Sequence, residues 1–435
     1  MARPGALRQV AGGAIFLAGR PRGNLVRVLY VASAVEVGGT SGGATHIEEV
    51  ACGLRSLGHE VLVLARTTPG GLALPGGRLQ CGAPFRPLQP RKELALLGYR
   101  QISRAFYRFR PHAVMERFYN LAGAGVLLAH RHDVPALLEV NAPMTDPPGS
   151  TKSRLDTFLL GSMRRWAVHQ ALWSSAIVTP LHTTVPPRVP RRLVYELPWG
   201  ANVDQFSSEV GVRDKRQLDS LRAEIGLDPT LPVATFLGSF REWHGVMHFV
   251  RAAKLLLDRS APVQFLAVGG GPELETARRE VESWNLPKKR FFFTGPQSHE
   301  RVPHLLALSD IGVAPFDLAS YAPLRHFGFY WSPLKVFEYM AMSLPTVTID
   351  VDPLNGIVRS DLEGLLYPPG DIDTLAAAID KLAREPSLRQ RMGASARERV
   401  VSSYSWAAHC KSLDALLKAM TLSPTGPQEI SGARN

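Results

Sequence analysis

Three cysteines in 435 residues, Cys52, Cys81 and Cys410, are too few and too scattered for a disulfide framework or a zinc site, so a reducing compartment is expected. No apolar run reaches the roughly 18–20 residues of a transmembrane helix, which points to a cytoplasmic chain, soluble or peripheral on the inner face of the cell membrane. Acidic residues are scarce in the first half. Residues 1–205 hold 12 Asp+Glu against 24 Lys+Arg, whereas residues 206–435 hold 26 of each, so the whole formal charge of +12 sits in the first half. Much of it is Arg between Arg91 and Arg110, interleaved with Leu94, Leu96, Leu97, Tyr99, Ile102, Phe106, Tyr107 and Phe109. Such a face suits an anionic membrane surface, or is simply a solvated helix. No nucleic-acid fold signature accompanies the charge, and nucleic acid is not an expected partner.

What is present is an ordinary globular composition, 45% hydrophobic and 20% charged, in a chain long enough for two domains. Residues 1–24, basic with one short apolar patch, read as a disordered leader. LVRVLYVASAV, from Leu25, is a buried-strand run, followed by a Gly-rich loop, a helix, a Gly-His turn and a second strand. This is the opening of a doubly wound α/β domain. HAVMERF, PALLEVNAP and SSAIVTP supply further strands, and residues 150–175 read as helical. The first domain is expected over 25–206, with 207–220 as a polar connector. LPVATFLGSF and VQFLAVGGGPEL then start a second α/β unit over 207–403, followed by a helix at 404–420 and a disordered tail at 421–435.

The segment FYWSPLKVFEYMAMSLPTVTID, Phe329 to Asp350, carries the most chemistry. Ser332 reads as an N-cap and Pro333 as the first helical residue. The N–H groups of Leu334 and Lys335 then point out of the positive end of the helix, beside the Lys335 ammonium, a setting for a phosphate. Glu338, about one and a half turns on, is placed to accept hydrogen bonds from sugar hydroxyls. Ligands of such sheets bind outside the carboxyl ends of the strands, and two facing domains put the site in the cleft between them.

These pieces, with GGATHIEEVACGLRSLGHEV, YELPWGANVDQF, FLGSFREWHG, VGGGPEL, FTGPQSHERVPHLLALSDIGVAPF, EGLLYPPGD and YSW, occur in an order that resembles the family 4 retaining glycosyltransferases. The resemblance runs from about Leu25 to Trp406. It implies the α/β GT-B fold, two doubly wound Rossmann-like domains facing across a cleft. It implies a nucleoside-diphosphate sugar donor on the second domain and a sugar, lipid-linked or small-molecule acceptor on the first. It also implies a hexosyl transfer with retention, no cofactor and no required metal, as in the synthesis of cell-surface polysaccharide or glycolipid. Charge developing on the leaving group is met by amides, the helix dipole and basic side chains.

Carried over position by position, the second Glu of the family's acidic motif falls on Glu338, and the first falls on Tyr330, which is not acidic. Its Phe-Gly pair falls on Ser332-Pro333, a Ser-Pro-Leu-Lys variant, which shifts phosphate contacts to Ser332, Leu334 and Lys335. The family's Gly-Arg and Lys-Gly pairs fall on Gly238-Ser239 and His244-Gly245, leaving Arg241 and His244 as the groups near the diphosphate. Gly42 and Gly43 match the family's first glycine pair, and Gly270 lies in a turn that lets backbone approach the nucleotide or is merely tight. A His often found beside the reacting carbon is Asn141 here. His46, Glu116 and Arg117 are the acceptor-side candidates, although His46 as a cap or Glu116 paired with Arg117 are plainer readings. Arg325 or Tyr330 is a candidate to share the missing Glu's work. The competing reading is a non-catalytic nucleotide-sugar-binding or scaffolding relative, since three family groups are replaced. A phosphorylase or an epimerase is less well supported, lacking a marked pyridoxal lysine or paired carboxylates.

Overall fold

The computed structural model describes residues 25–37, 42–67, 79, 82–88, 98–210, 215–284 and 289–422. The expected leader and residues 423–435 of the expected tail lie outside them. Two parallel sheets organise the chain. The first has the order β3-β2-β1-β4-β5-β6-β7, with β1 Arg27–Val37, β2 Glu60–Thr67, β3 Phe85–Pro87, β4 Ala113–Arg117, β5 Ala136–Glu139, β6 Ala176–Thr179 and β7 Val194–Glu196. The second has the order β10-β9-β8-β11-β12-β13, with β8 Val233–Leu237, β9 Gln264–Val268, β10 Phe291–Gly295, β11 Ile311–Ala314, β12 Thr346–Ile349 and β13 Gly364–Tyr367. Every pair of neighbours is parallel. Both sheets are doubly wound, with the order reversing at β1/β4 and β8/β11. The α/β, two-sheet expectation holds.

The central strands are buried on both faces. Leu29 and Val31 pack on one side of β1 and Val28 and Tyr30 on the other, in separate apolar clusters. This is why these strands read as continuous hydrophobic runs. The second domain is built around Phe236, Phe249, Phe265, Phe291 and Phe337 in a single cluster.

Residues 200–201 and 404–406 run side by side where the chain passes between the domains. Ala201 N–H donates to Tyr404 O at 2.8 Å and Trp406 N–H to Ala201 O at 3.2 Å. A Cβ on Gly200 would lie 2.4 Å from the Ser405 backbone, so only glycine allows the approach. The Trp406–Leu422 helix then returns to the first domain, with Leu413, Leu416 and Leu417 in the same cluster as Ile47 and Val50 of the Gly42–Ser56 helix. It extends two residues into the expected tail.

Three expectations need correction. The Lys215–Ile225 helix starts inside the expected connector, because Leu218 and Leu221 are buried on the second domain. Cys52 is disulfide-bonded, its partner outside the described residues, whereas Cys410 is free and buried. Of the apolar residues read as a membrane face, the described ones are mostly buried in or packed on the core. In the Tyr99–Phe109 helix, Ile102 and Phe106 are fully buried, leaving Tyr107 exposed with its hydroxyl 2.8 Å from His132 Nε2. Residues 91–97 of that stretch lie outside the described residues. Among the described residues no helix is long and apolar enough to cross a membrane.

Candidate active site

The Leu334–Ala341 helix begins one residue later than expected, with Pro333 at the N-cap. Ser332 does not cap it. Its hydroxyl accepts the Trp199 N–H at 2.9 Å, tying the second domain to the first. The Leu334 N–H is taken by the Ser332 carbonyl at 2.9 Å, so among the two expected amides Lys335 keeps the open one.

Lys335 turns inward. Its Nζ is buried with no hydrogen-bond partner, 4.3 Å from the Phe236 ring centroid and 5.0 Å from that of Phe316. Burial lowers its pKa to about 7, against a raising influence from Glu338. Gly238 makes room for it: with φ +138, a Cβ there would lie 3.0 Å from Lys335 Nζ and 3.3 Å from His244 Nδ1. His244 Nδ1 is also buried without a partner. Burial, then Lys335 and Arg241, lower its pKa to about 2, so the imidazole is neutral and not a replacement cation. Arg241 is exposed and lies over Trp243, 5.3 Å from its ring. An ammonium, an imidazole nitrogen and a helix start thus converge beside Gly238 with polar capacity unspent. A buried ammonium without a counter-charge is costly and suits an anion from solution.

Glu338 lies about one turn further along the helix, partly exposed and 3.9 Å from His299 Nε2. His299 is raised in pKa, chiefly by the neighbouring Glu338 carboxylate, and its Nδ1 is 3.1 Å from Gln205 Nε2. Glu49, on the first domain, contributes to the same field and accepts from Asn202 Nδ2 at 3.3 Å. His299 was missed by the sequence reading, although a His shortly after the strand-ending Gly295 was a usable signal.

On the facing side, Gly42 opens the Gly42–Ser56 helix, where a Cβ would lie 3.6 Å from Trp199 and 3.8 Å from Leu334. Gly43 lies beside Val35 and Arg117. Trp199 Nε1 donates to Asn141 Oδ1 at 2.6 Å, which leaves Asn141 Nδ2 buried and unpaired. Arg117 sits over Trp199 at 5.2 Å with its Nη1 also unpaired. Behind them His46 Nε2 makes a short contact with Glu139, whose other oxygen accepts the Tyr30 hydroxyl at 2.7 Å. Burial pushes Glu139 up, but His46, Arg117 and the Tyr30 hydroxyl outweigh it and hold the carboxylate at about 2. Glu139 points inward to this network. Burial lowers His46, against the raising influence of Glu139, and its Nδ1 is buried without a hydrogen-bond partner. His46, Glu139 and His409 bring one ligand atom each within 4.8 Å of one another and are, among the described residues, the group able to hold a metal ion. The His46–Glu139 contact and the 2.9 Å bond from His409 Nδ1 to Pro198 O already use part of that capacity.

Four candidates sit elsewhere. Glu116 is fully buried and accepts the N–H of Gly123 at 2.9 Å and of Val126 at 2.7 Å, holding the start of the Ala124–Arg131 helix rather than pairing with Arg117. Tyr330 packs against Leu181 and Leu324, a contact between the domains. Gly270 lies against the Pro296 ring, and its carbonyl accepts the Phe240 N–H at 2.9 Å, so a tight turn accounts for it. Arg325 Nη1 bonds the Ala319 carbonyl within its own loop. A cavity of about 790 Å³ opens outside β4, β5 and β6, lined among others by Asn120, Asp146, Arg164, Arg188 and, from the second domain, His326.

The comparisons with known proteins agree with this layout. Residues 41–195 match the glycosyl transferase 4-like domain and residues 218–399 match glycosyl transferases group 1. Alpha-D-kanosaminyltransferase of Streptomyces kanamyceticus is 27% identical over 56% of this chain and 60% of its own length. D-inositol 3-phosphate glycosyltransferase of Rhodococcus erythropolis is 29% identical over 50% of this chain and 48% of its own. The chain thus spans about half the length of such curated relatives. In fold, a glycosyltransferase from Rickettsia africae superposes with a TM-score of 0.70 at 14% identity, covering 92% of this chain and 100% of that one. Anabaena HepE in complex with UDP-glucose superposes at 0.67 and 16%, covering 90% and 99%. With both domains matched in order and both sheets in place, the chain belongs to the GT-B glycosyltransferases of group 1, with a family 4-like first domain.

Proposed function

We propose that the protein moves a hexosyl group from a nucleoside-diphosphate sugar to an acceptor in the cavity outside β4–β6, with retention of configuration and without a required metal. The observation that carries this reading is the buried Lys335 ammonium, unpaired beside Gly238 at a helix start. In the proposed complex the diphosphate takes the Lys335 Nζ and N–H, with Arg241 closing over it from the solvent side. Positive groups already fixed in place stabilise the charge that develops on the departing diphosphate. Glu338, oriented by His299, accepts the ribose hydroxyls. Asn141 Nδ2 and Arg117 Nη1, both unpaired, face the transferred sugar. The solved relative of the same fold holding UDP-glucose supports a sugar nucleotide in such a cleft.

The test is nucleoside-diphosphate release from a panel of sugar nucleotides, with chelator present, by wild type and Glu338→Ala. Turnover by the wild type and its loss in the variant are expected, with the anomeric configuration of the product read by NMR. Equal turnover in both removes the site assignment, and an inverted product removes the retaining mechanism.

A further inference from the structure

The two most exposed large apolar side chains, Phe158 and Leu160, lie together in one short segment of the first domain. Phe158 is 82% exposed, Leu160 81%, Leu155 49% and Leu159 41%. They belong to the Thr151–Phe158 helix, none of whose residues is buried, and to the turn that follows. Leu155, Phe158 and Leu159 share one face by their i, i+3 and i+4 spacing. Leu160 is held out from the turn at φ +52, a left-handed conformation that a leucine adopts at a cost. A stable cap builds the helix, with the Ser150 hydroxyl accepting the Ser153 N–H at 3.1 Å, so the patch is presented on an ordered element.

Exposed basic side chains flank the patch along the chain. Lys152, Arg154, Arg164 and Arg165 lie on the helix and at the start of the next, Ser162–Leu172. Among the described residues Arg154, Arg164 and Arg165 form no ion pair, and Lys152 has only a 4.0 Å approach to Asp146. The acidic residue within the patch, Asp156, is turned inward, accepting the N–H of Met163 at 2.8 Å and of Arg164 at 3.3 Å. An apolar tip flanked by cationic side chains matches the two layers of an anionic bilayer, headgroups outside and acyl chains within. A second copy of the chain would bring like charges together around the same tip.

We propose that the Thr151–Arg165 helix-turn is a docking surface for an anionic lipid bilayer. Phe158 and Leu160 enter the acyl boundary and Arg154, Arg164 and Arg165 contact the headgroups. Leu160, Gly161, Arg164 and Arg165 also line the 790 Å³ cavity, so docking sets the mouth of that cavity at the headgroup layer. The surface is distinct from the Arg91–Arg110 stretch, whose described apolar residues are largely in the core. The inference does not depend on the transfer reading, because it is measured with no sugar nucleotide present.

The test is co-sedimentation of the full chain with vesicles of phosphatidylcholine plus phosphatidylglycerol, and with phosphatidylcholine alone. Binding to the anionic vesicles only is expected, and it weakens as salt shortens the screening length from about 10 Å at 0.1 M to about 3 Å at 1 M. Phe158→Ser/Leu160→Ser should release the protein while its thermal midpoint stays within a degree or so of wild type, since both side chains are in solvent. Arg164→Gln and Arg165→Gln should each weaken partitioning about fivefold. The proposal is overturned if wild type stays in the supernatant with both vesicles or if the serine variant binds as wild type does. It is also overturned if sedimentation velocity without vesicles finds a dimer that the serine variant dissolves.

Discussion

Replacing Lys335 with Met should make the empty protein more stable and its nucleotide complex weaker. Burial without a counter-ion takes this lysine from 10.5 to about 7. The unfolded chain keeps the proton up to about pH 10.4. Between those values the unfolded state binds more protons, so wild-type stability rises with pH through that window and the full cost is felt below it. The shift corresponds to about 5 kcal/mol below pH 7 and about 4 kcal/mol at pH 7, at 1.36 kcal/mol per unit. The Phe236 and Phe316 faces return about 1–2 kcal/mol through cation–π attraction. Methionine keeps the packing on both rings without a charge. The expected net gain for Lys335→Met is about 2–3 kcal/mol at pH 7, shrinking toward zero near pH 10. The same change removes a charge-assisted hydrogen bond to the diphosphate worth about 1.5–3 kcal/mol, or about 10- to 100-fold in Kd. Urea unfolding of both proteins across this pH range, with a calorimetric nucleotide titration, measures both effects. A variant less stable than wild type at neutral pH, a stability difference independent of pH, or an unchanged nucleotide Kd would refute the reasoning.

Nucleotide affinity of the wild type should fall above about pH 7, up to tenfold per unit, because binding needs the protonated Lys335 and must recharge it; calorimetry in buffers of different ionisation heat would detect the proton taken up. Glu338→Gln should lower kcat/KM for the donor about 10- to 100-fold with little change in unfolding midpoint, as the carboxylate is a partly exposed charged acceptor. Glu116→Gln should cost about 1–3 kcal/mol in urea unfolding, since one of the two amides it accepts then faces an NH₂ group, while the donor KM of the folded protein stays unchanged. Gly200→Ala should destabilise by at least about 1–3 kcal/mol, because the new Cβ meets Ser405 backbone that cannot move aside; a neutral result in thermal unfolding would show that the crossing strands separate easily.

The fold was legible because its strands are buried on both faces and several of the hydrophobic runs, β1, β8, β9 and β10 among them, end at glycines. Lys335 and Gly238 were legible for the same local reason: a helix start and a glycine turn imply open backbone whatever surrounds them. What local reading missed was tertiary competition for polar groups. Ser332 looks like a cap until Trp199, 133 residues away, donates to its hydroxyl. Glu116 follows β-strand residues toward the cleft in sequence, yet the Ala124–Arg131 helix folds back onto it and takes both oxygens. Glu139 alternates with its strand neighbours to point inward, where it meets His46 and Tyr30 from two other elements, a meeting that strand alternation alone does not show. Tyr330 replaces an acidic residue of the family pattern and serves packing between domains. The Leu155–Leu160 patch gave no signal at all, because amphipathic spacing does not say which face the rest of the fold will cover.

The most direct test of the central claim is the thermal midpoint of the metal-free protein against UDP, GDP, ADP and dTDP, with Lys335→Met beside it. A nucleotide at 100-fold its Kd adds about 2.7 kcal/mol, several degrees in a domain of this size. The account predicts that one of the four raises the wild-type midpoint and raises that of Lys335→Met by about half as much or less. No shift in the wild type with any of them, or an equal shift in the variant, would contradict it.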